Sequence, residues 1–153
     1  MNVYDIDAFL ANKEDREYSW RWQKESPVWN AQPGTAHKAL VKLEQAGMLT
    51  LLATQNFDAL HEKAGNSSNV IVNLHGTIGT SHCMKCHAKY DTAEIMANLD
   101  NEPDPHCHRK LPYSGNMPCD GLIKTDVVYF GEALPDGAIE KSYVLPRRPT
   151  NCG

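Results

Sequence analysis

The apolar positions of this chain fall into a polar and aromatic opening, a periodic middle and a later stretch where periodicity fades. In the middle, Ala36, Ala39, Leu40, Leu43 and Ala46 recur at helical spacing, with Thr35 as the expected N-cap and Gly47 as the expected stop. Two short apolar runs follow, residues 48–53 (MLTLLA) and 70–74 (VIVNL), each suited to a buried strand. A short helix over residues 61–65 separates them and ends at Gly65. Helix, strand, polar loop, short helix and strand is the order of a parallel α/β sheet. Ligands of such sheets bind at the carboxyl ends of strands. The segment TQNFD (54–58) and the pair His75-Gly76 fall at those ends.

The flanks read differently. In residues 3–30, Asp5 is placed to cap a short helix running through Leu10, and residues 15–24 suit a second helix. Trp20, Trp22 and Trp29 read as packing residues, and Pro27 and Pro33 frame a break. Residues 83–121 are rich in Cys, His, Pro, Asp and Asn. Such a segment buries little apolar surface, so a metal would supply its stability. Residues 127–130 (VVYF) restore a strand-like run before Gly131 and Glu132, and the tail from Lys141 has no strong pattern. The expected organisation is an N-terminal helical segment (1–34), a Rossmann-like part (35–82) and a metal module (83–121). A return strand with a loop (122–140) and an atypical tail (141–153) complete it.

Composition narrows the class. With 153 residues, 41% hydrophobic and 22% charged, the chain is long enough for one domain with a real core. A net charge of -4 gives no basic face for nucleic acid. The opening MNVYDIDAFL lacks the basic region of a signal peptide, and no run approaches the about 18 apolar residues of a membrane span. A cytoplasmic protein that binds neither membrane nor nucleic acid is expected.

Five cysteines without a secretory signal point to metal or redox chemistry rather than disulfides. Cys83-Met-Lys-Cys86 has the spacing that lets two thiolates reach one tetrahedral ion. Cys107 and Cys119 are the expected second pair, although eleven residues separate them. The intervening Pro112, Gly115 and Pro118 favour a looped excursion, and lengthening a loop adds little entropy per residue. Four thiolates leave no position for water, which makes the zinc structural. One of His82, His87, His106 or His108 in place of Cys107 or Cys119 is an alternative, as are four free buried thiols. Cys152 reads as a free thiol.

TQNFDALHEKAG (54–65), LHGT (74–77), the Cys-x-x-Cys and CDGLIKTDVVYFGEALP (119–135) together resemble the sirtuin family of NAD-dependent protein deacylases. Order and spacing agree over residues 33–136, including the helix AHKALVKLEQAG. The resemblance implies a partial Rossmann-like parallel sheet with a small zinc-binding module. It also implies NAD as co-substrate and an acyl-lysine protein or peptide as partner. His75 matches the catalytic base, and Gln55, Asn56 and Asp58 match the nicotinamide and ribose end of the NAD pocket. Cys83, Cys86, Cys107 and Cys119 match the zinc ligands. Val128, Phe130, Gly131 and Glu132 match the loop that pairs with the acyl-lysine peptide as an added strand. In the implied reaction the acyl oxygen attacks the ribose carbon bearing nicotinamide, which leaves. His75 then takes a proton from a ribose hydroxyl, as an imidazole titrating near neutrality can. Taken by themselves, Asn56 and Asp58 also suit an ordinary Asx turn, and His61 and His37 read as structural.

The glycine-rich GAGxS strand with which sirtuins open has no counterpart before Val3, and the tail does not resemble the family's later Gly-Thr-Ser turn. The chain therefore reads as a partial member, with open sheet edges and apolar faces expected. A second reading is a catalytically silent zinc-binding fragment acting through protein contacts. NAD affinity discriminates the two. A zinc-ribbon nucleic-acid binder is opposed by the acidic balance.

Overall fold

The structure, a computed structural model, describes residues 3–112 and 115–143. Two helices open it: α1, Ile6–Ala11, and α2, Lys13–Glu25, followed by a 3-10 turn at Pro27–Asn30. Asp5 caps α1 as expected, accepting the Ala8 N–H at 2.9 Å. Asn12 caps α2 by accepting the Asp15 N–H at 2.8 Å, which starts that helix earlier than its apolar pattern indicates.

The periodic middle folds as α3 (Thr35–Gln45), β1 (Leu52–Thr54), α4 (Leu60–Ala64) and β2 (Ile71–Asn73). The N-cap of α3 is Gly34 rather than Thr35. The His37 ring, three residues on, supplies the missing acceptor by taking the Gly34 N–H on Nδ1 at 3.1 Å. Strands β1 and β2 pair in parallel, Leu52 opposite Ile71 and Thr54 opposite Asn73. They form a two-stranded sheet. No residue of α3 is buried, and Met48 beyond it is 73% exposed. The open apolar face expected from the sequence is therefore present.

The remaining described elements are β3 (Thr80–Cys83), β4 (Lys89–Asp91), α5 (Thr92–Asn98), β5 (Ile123–Thr125) and α6 (Ala138–Tyr143). Strands β4, β3 and β5 form an antiparallel sheet in that order. The strand expected over residues 127–130 is a correction. The ladder lies at Ile123–Thr125, and Phe130 makes only an isolated parallel bridge to Asp5. Thr80, the segment from His75 to Thr77 and the chain from Tyr4 to Ile6 surround residues 126–130, so their backbone groups bond to several segments rather than to one strand.

The core joins the opening helices to the metal module. Trp20, Phe9 and Tyr129 are almost fully buried beside Ile123, Val127 and Leu99. A polar network threads this core: Gln23 donates to Tyr129 Oη at 3.0 Å and accepts from Thr125 Oγ1 at 3.1 Å. Such a network is stabilising only because its members are paired. Arg16 grips Asp104 through two bonds of 2.8 Å, the paired geometry that makes guanidinium–carboxylate contacts strong. Of the three tryptophans, Trp20 is buried as expected, whereas Trp22 lies 43% exposed with its ring edge-on to Tyr4.

Candidate active site and metal centre

The two strand ends converge. Beyond β1, Thr54 Oγ1 accepts the Asn56 N–H at 3.0 Å and Asp58 Oδ1 accepts the Leu60 N–H at 3.0 Å. These side-chain turns fold the TQNFD segment back over the sheet end. Ala59 follows at φ 57, a left-handed conformation that non-glycine residues seldom take. Beyond β2, the His75 ring is half-buried, and its Nδ1 lies 3.2 Å from the Gln55 carbonyl oxygen. A carbonyl only accepts, so Nδ1 carries the hydrogen in this contact, an arrangement that in the neutral ring leaves the lone pair on Nε2. Gln55 thus meets His75 through its backbone, and the side chains of Gln55 and Asn56 are exposed.

Gly76 shows why His75 is followed by glycine. Its φ is +73, and a Cβ there would stand 1.7 Å from the Asp126 carbonyl oxygen. This close approach lets Val128 donate to the His75 carbonyl at 2.9 Å. The same contact brings residues 127–132 beside the imidazole. A cavity of about 360 Å³ results, lined by His75, Tyr4, Phe57, Tyr129, Gly131 and Leu134 among others.

The loop carrying Val128, Phe130, Gly131 and Glu132 is tied from several sides. The N–H of Phe130 bonds to Tyr4 O at 2.7 Å, and its carbonyl accepts from Ile6 N at 3.1 Å. Glu132 turns its carboxylate inward, accepting the Tyr129 N–H at 2.7 Å and pairing with Lys124 Nζ at 3.0 Å. Lys124 is 1% exposed, donates to the carbonyls of Thr125 and Val127, and sits 4.0 Å above the Tyr129 ring. Burial pulls its pKa down, and Glu132 opposes that shift. Phe130 projects outward, 70% exposed.

The four expected cysteines come together. The sulfurs of Cys83, Cys86, Cys107 and Cys119 all lie within 4.8 Å of one another, with Cys83 to Cys119 at 3.7 Å and Cys86 to Cys107 at 3.6 Å. Zinc–sulfur bonds of about 2.3 Å at tetrahedral angles require sulfurs about 3.8 Å apart. The set therefore fits a closed structural zinc site. The two flanks of the eleven-residue insert pair with each other: Lys110 bridges Pro118, and Cys119 N bonds to Arg109 O at 2.8 Å. Gly115 and Asn116 near its tip both take positive φ.

Backbone amides of Lys85 and Cys86 point at the Cys83 sulfur at 3.4 and 3.3 Å. Burial pushes the Cys83 thiol up, but these donors outweigh it and bring it to about 7. Burial pushes Cys119 up to about 12. Four thiolates gathered this closely, three of them buried and Cys86 half-buried, would need a cation among them. Gly121 backs the cluster, where a Cβ would stand 2.5 Å from the Cys83 sulfur. The neighbouring histidines are engaged elsewhere: His82 with Asp126 at 2.6 Å, His106 with Asp120 at 2.8 Å and His108 with Glu102 at 2.9 Å. His87 borders a separate groove of about 530 Å³. Cys152 lies outside the described residues.

His61 and His37 take the structural roles expected of them. His61 is buried, with its ring centroid 4.8 Å from that of His37. Sequence reasoning did not find Lys124, Asp126 or α5. The signal for α5 was present in Asp91 followed three residues on by Glu94, the pattern of an N-terminal cap, and Asp91 does accept the Ala93 N–H at 2.7 Å.

Comparison with known proteins fits this geometry. The family model described as Sir2 family matches residues 1–146, so the likeness reaches well beyond residues 33–136 and takes in both opening helices. The NAD-dependent protein deacetylase of Thermotoga maritima is 34% identical over 149 residues, covering 96% of this chain and 55% of the relative. The NAD-dependent protein deacylase of Aeropyrum pernix is 37% identical over 131 residues, covering 86% and 46%. A solved complex of Sir2 with p53 peptide and NAD+ superposes with a TM-score of 0.75 at 33% identity, covering 93% of this chain and 54% of that one. Sir2 bound to acetylated peptide gives a TM-score of 0.76 at 33% identity, covering 92% and 54%. The chain spans about half the length of the curated relatives it matches. Two parallel strand ends meeting at one imidazole, a four-cysteine zinc site and a family match from end to near end lead to one conclusion: the chain belongs to the Sir2 family.

Proposed function

We propose that this chain takes part in the NAD-dependent removal of acyl groups from protein lysine, releasing nicotinamide and acylated ADP-ribose. The observation that carries the reading is the His75 ring, oriented by the Gln55 carbonyl at 3.2 Å and opening on the cavity beside residues 127–132. With Nδ1–H held by that carbonyl, Nε2 serves as the base that removes a proton from a ribose hydroxyl. We assign Gln55, Asn56 and Asp58 to the nicotinamide and ribose end of an NAD site. Their amide and carboxylate groups offer directional partners to a carboxamide and to hydroxyls. We assign Val128, Phe130, Gly131 and Glu132 to the loop against which an acyl-lysine peptide lies.

Because Phe130 already bonds to Tyr4 and Ile6 through both its backbone groups, its contribution to the peptide is its exposed ring. A zinc ion held by Cys83, Cys86, Cys107 and Cys119 would keep the antiparallel sheet folded and, with four sulfurs filling a tetrahedral site, would take no part in the reaction. We place the protein in the cytoplasm, where thiols such as these four free cysteines stay reduced. No helix among the described residues is long and apolar enough to cross a membrane.

Calorimetric titration with NAD tests the cofactor half of this reading. Saturable binding that weakens in Asn56→Ala and Asp58→Ala is expected. No heat of binding to the zinc-loaded chain would favour the catalytically silent fragment.

A further inference from the structure

Asp126 is the point where the zinc-module sheet meets the strand end that carries His75. Its side chain is 16% exposed. Three side chains from β3 and β4 converge on its carboxylate: His82 Nδ1 at 2.6 Å, Thr80 Oγ1, and Lys89 Nζ at 3.2 Å. Its own N–H bonds to Thr80 O at 2.8 Å. The zinc-module side of Asp126 is thus saturated with partners.

The opposite side of the residue faces the candidate site. The Asp126 carbonyl accepts the Thr77 N–H at 3.3 Å and lies where a Cβ on Gly76 would stand 1.7 Å away. Two residues further on, Val128 donates to the His75 carbonyl at 2.9 Å. Burial pushes the Asp126 carboxyl up, but His82, Thr80 and Lys89 outweigh this and hold it at about 2. The clamp therefore stays ionised at neutral pH.

We infer that Asp126 is a positioning residue for His75: its carboxylate, clamped by Thr80, His82 and Lys89, fixes residues 126–128 against the His75-Gly76 turn and so sets the imidazole beside the Val128–Glu132 loop. The catalytic meaning of this rests on the reading of His75 as the base. The geometric claim does not. An ion pair that only added general stability would loosen the zinc module as much as the His75 turn. A positioning residue loosens the turn selectively.

Amide hydrogen exchange on the zinc-loaded chain separates the two. In Asp126→Ala, exchange at the Val128 and Thr77 amides rises at least tenfold. Exchange at the Cys107 and Asp120 amides, which bond within the zinc module, changes less than twofold. The carbon and nitrogen shifts of the His75 ring move with the first pair. Asp126→Asn, which keeps an acceptor oxygen, restores most of the protection. Thr80→Val gives a smaller change in the same direction, and these two variants decide the matter if Asp126→Ala does not fold. Protection at Val128 and Thr77 within twofold of the parent, or an equal loss at all four amides, would overturn the inference. In nicotinamide release, kcat falls about tenfold with KM for NAD unchanged. A parent chain that releases none would sink the reading of His75 as base and leave the exchange result to stand on its own.

Discussion

Replacing Gly76 with alanine tests whether the close approach behind His75 is what builds the site. Two effects add. The backbone sits at φ +73, and an L-residue there costs about 1 kcal/mol. The new Cβ would also stand 1.7 Å from the Asp126 oxygen, 2.8 Å from its carbonyl carbon and 3.1 Å from the Val127 Cα. All three are backbone atoms, so no side chain can swing away. Reaching ordinary contact at 3.4 Å means separating the segments by about 1.7 Å. That breaks Thr77 N–H to Asp126 O and Val128 N–H to His75 O, each worth about 1 kcal/mol.

The sum is about 3 kcal/mol, a large share of the about 5–15 kcal/mol that holds a typical domain together. Gly47 provides the control. Its φ is +69, yet nothing lies within 4 Å of its would-be Cβ. Gly47→Ala therefore carries the conformational cost alone. Urea unfolding of both zinc-loaded variants should place Gly76→Ala about 2 kcal/mol below Gly47→Ala. Equal stabilities, with the Val128 amide as protected as in the parent, would refute the close-approach argument.

Further outcomes follow from neighbouring contacts. Gly121→Ala drives a Cβ to 2.5 Å from the Cys83 sulfur, so zinc should be lost to a competing chelator at least tenfold more readily; an unchanged chelator midpoint would contradict the packing behind the cluster. Lys124→Met leaves the Glu132 carboxylate and two carbonyls without their ammonium and should destabilise by about 3–5 kcal/mol, with Lys124→Met/Glu132→Gln recovering part of that in denaturant unfolding. The Asp126 carboxyl is depressed from 3.8 to about 2 on folding, so its contribution is complete above pH 4 and is lost as pH falls through 2. It amounts to about 2 kcal/mol, and Asp126→Asn should show a correspondingly flatter fall in stability between pH 4 and 2.

The periodic middle was legible because its elements are local. Helical spacing from Ala36 to Ala46 and two apolar runs located α3, β1 and β2, and strand order put TQNFD and His75 at adjacent ends. The cysteine set was legible because thiolate spacing is a chemical constraint that survives an eleven-residue insert. What the sequence hid is non-local. Residues 127–130 look like a strand, but three different segments take their backbone groups. Lys124 looks like a surface lysine until Glu132, two carbonyls and the Tyr129 ring surround it. His37 replaces Thr35 in capping α3 because its ring reaches back to the Gly34 amide, which propensity alone does not foresee. The opening helices resembled nothing in particular as a string, yet they complete the core behind Tyr129.

Nicotinamide release from NAD, followed with and without an acetyl-lysine peptide, tests the central claim most directly. The account predicts release that requires the peptide, coincides with deacetylated product and vanishes in His75→Ala while zinc content stays at one equivalent per chain. Release that survives His75→Ala, or no peptide-dependent release from the zinc-loaded parent chain, would contradict it.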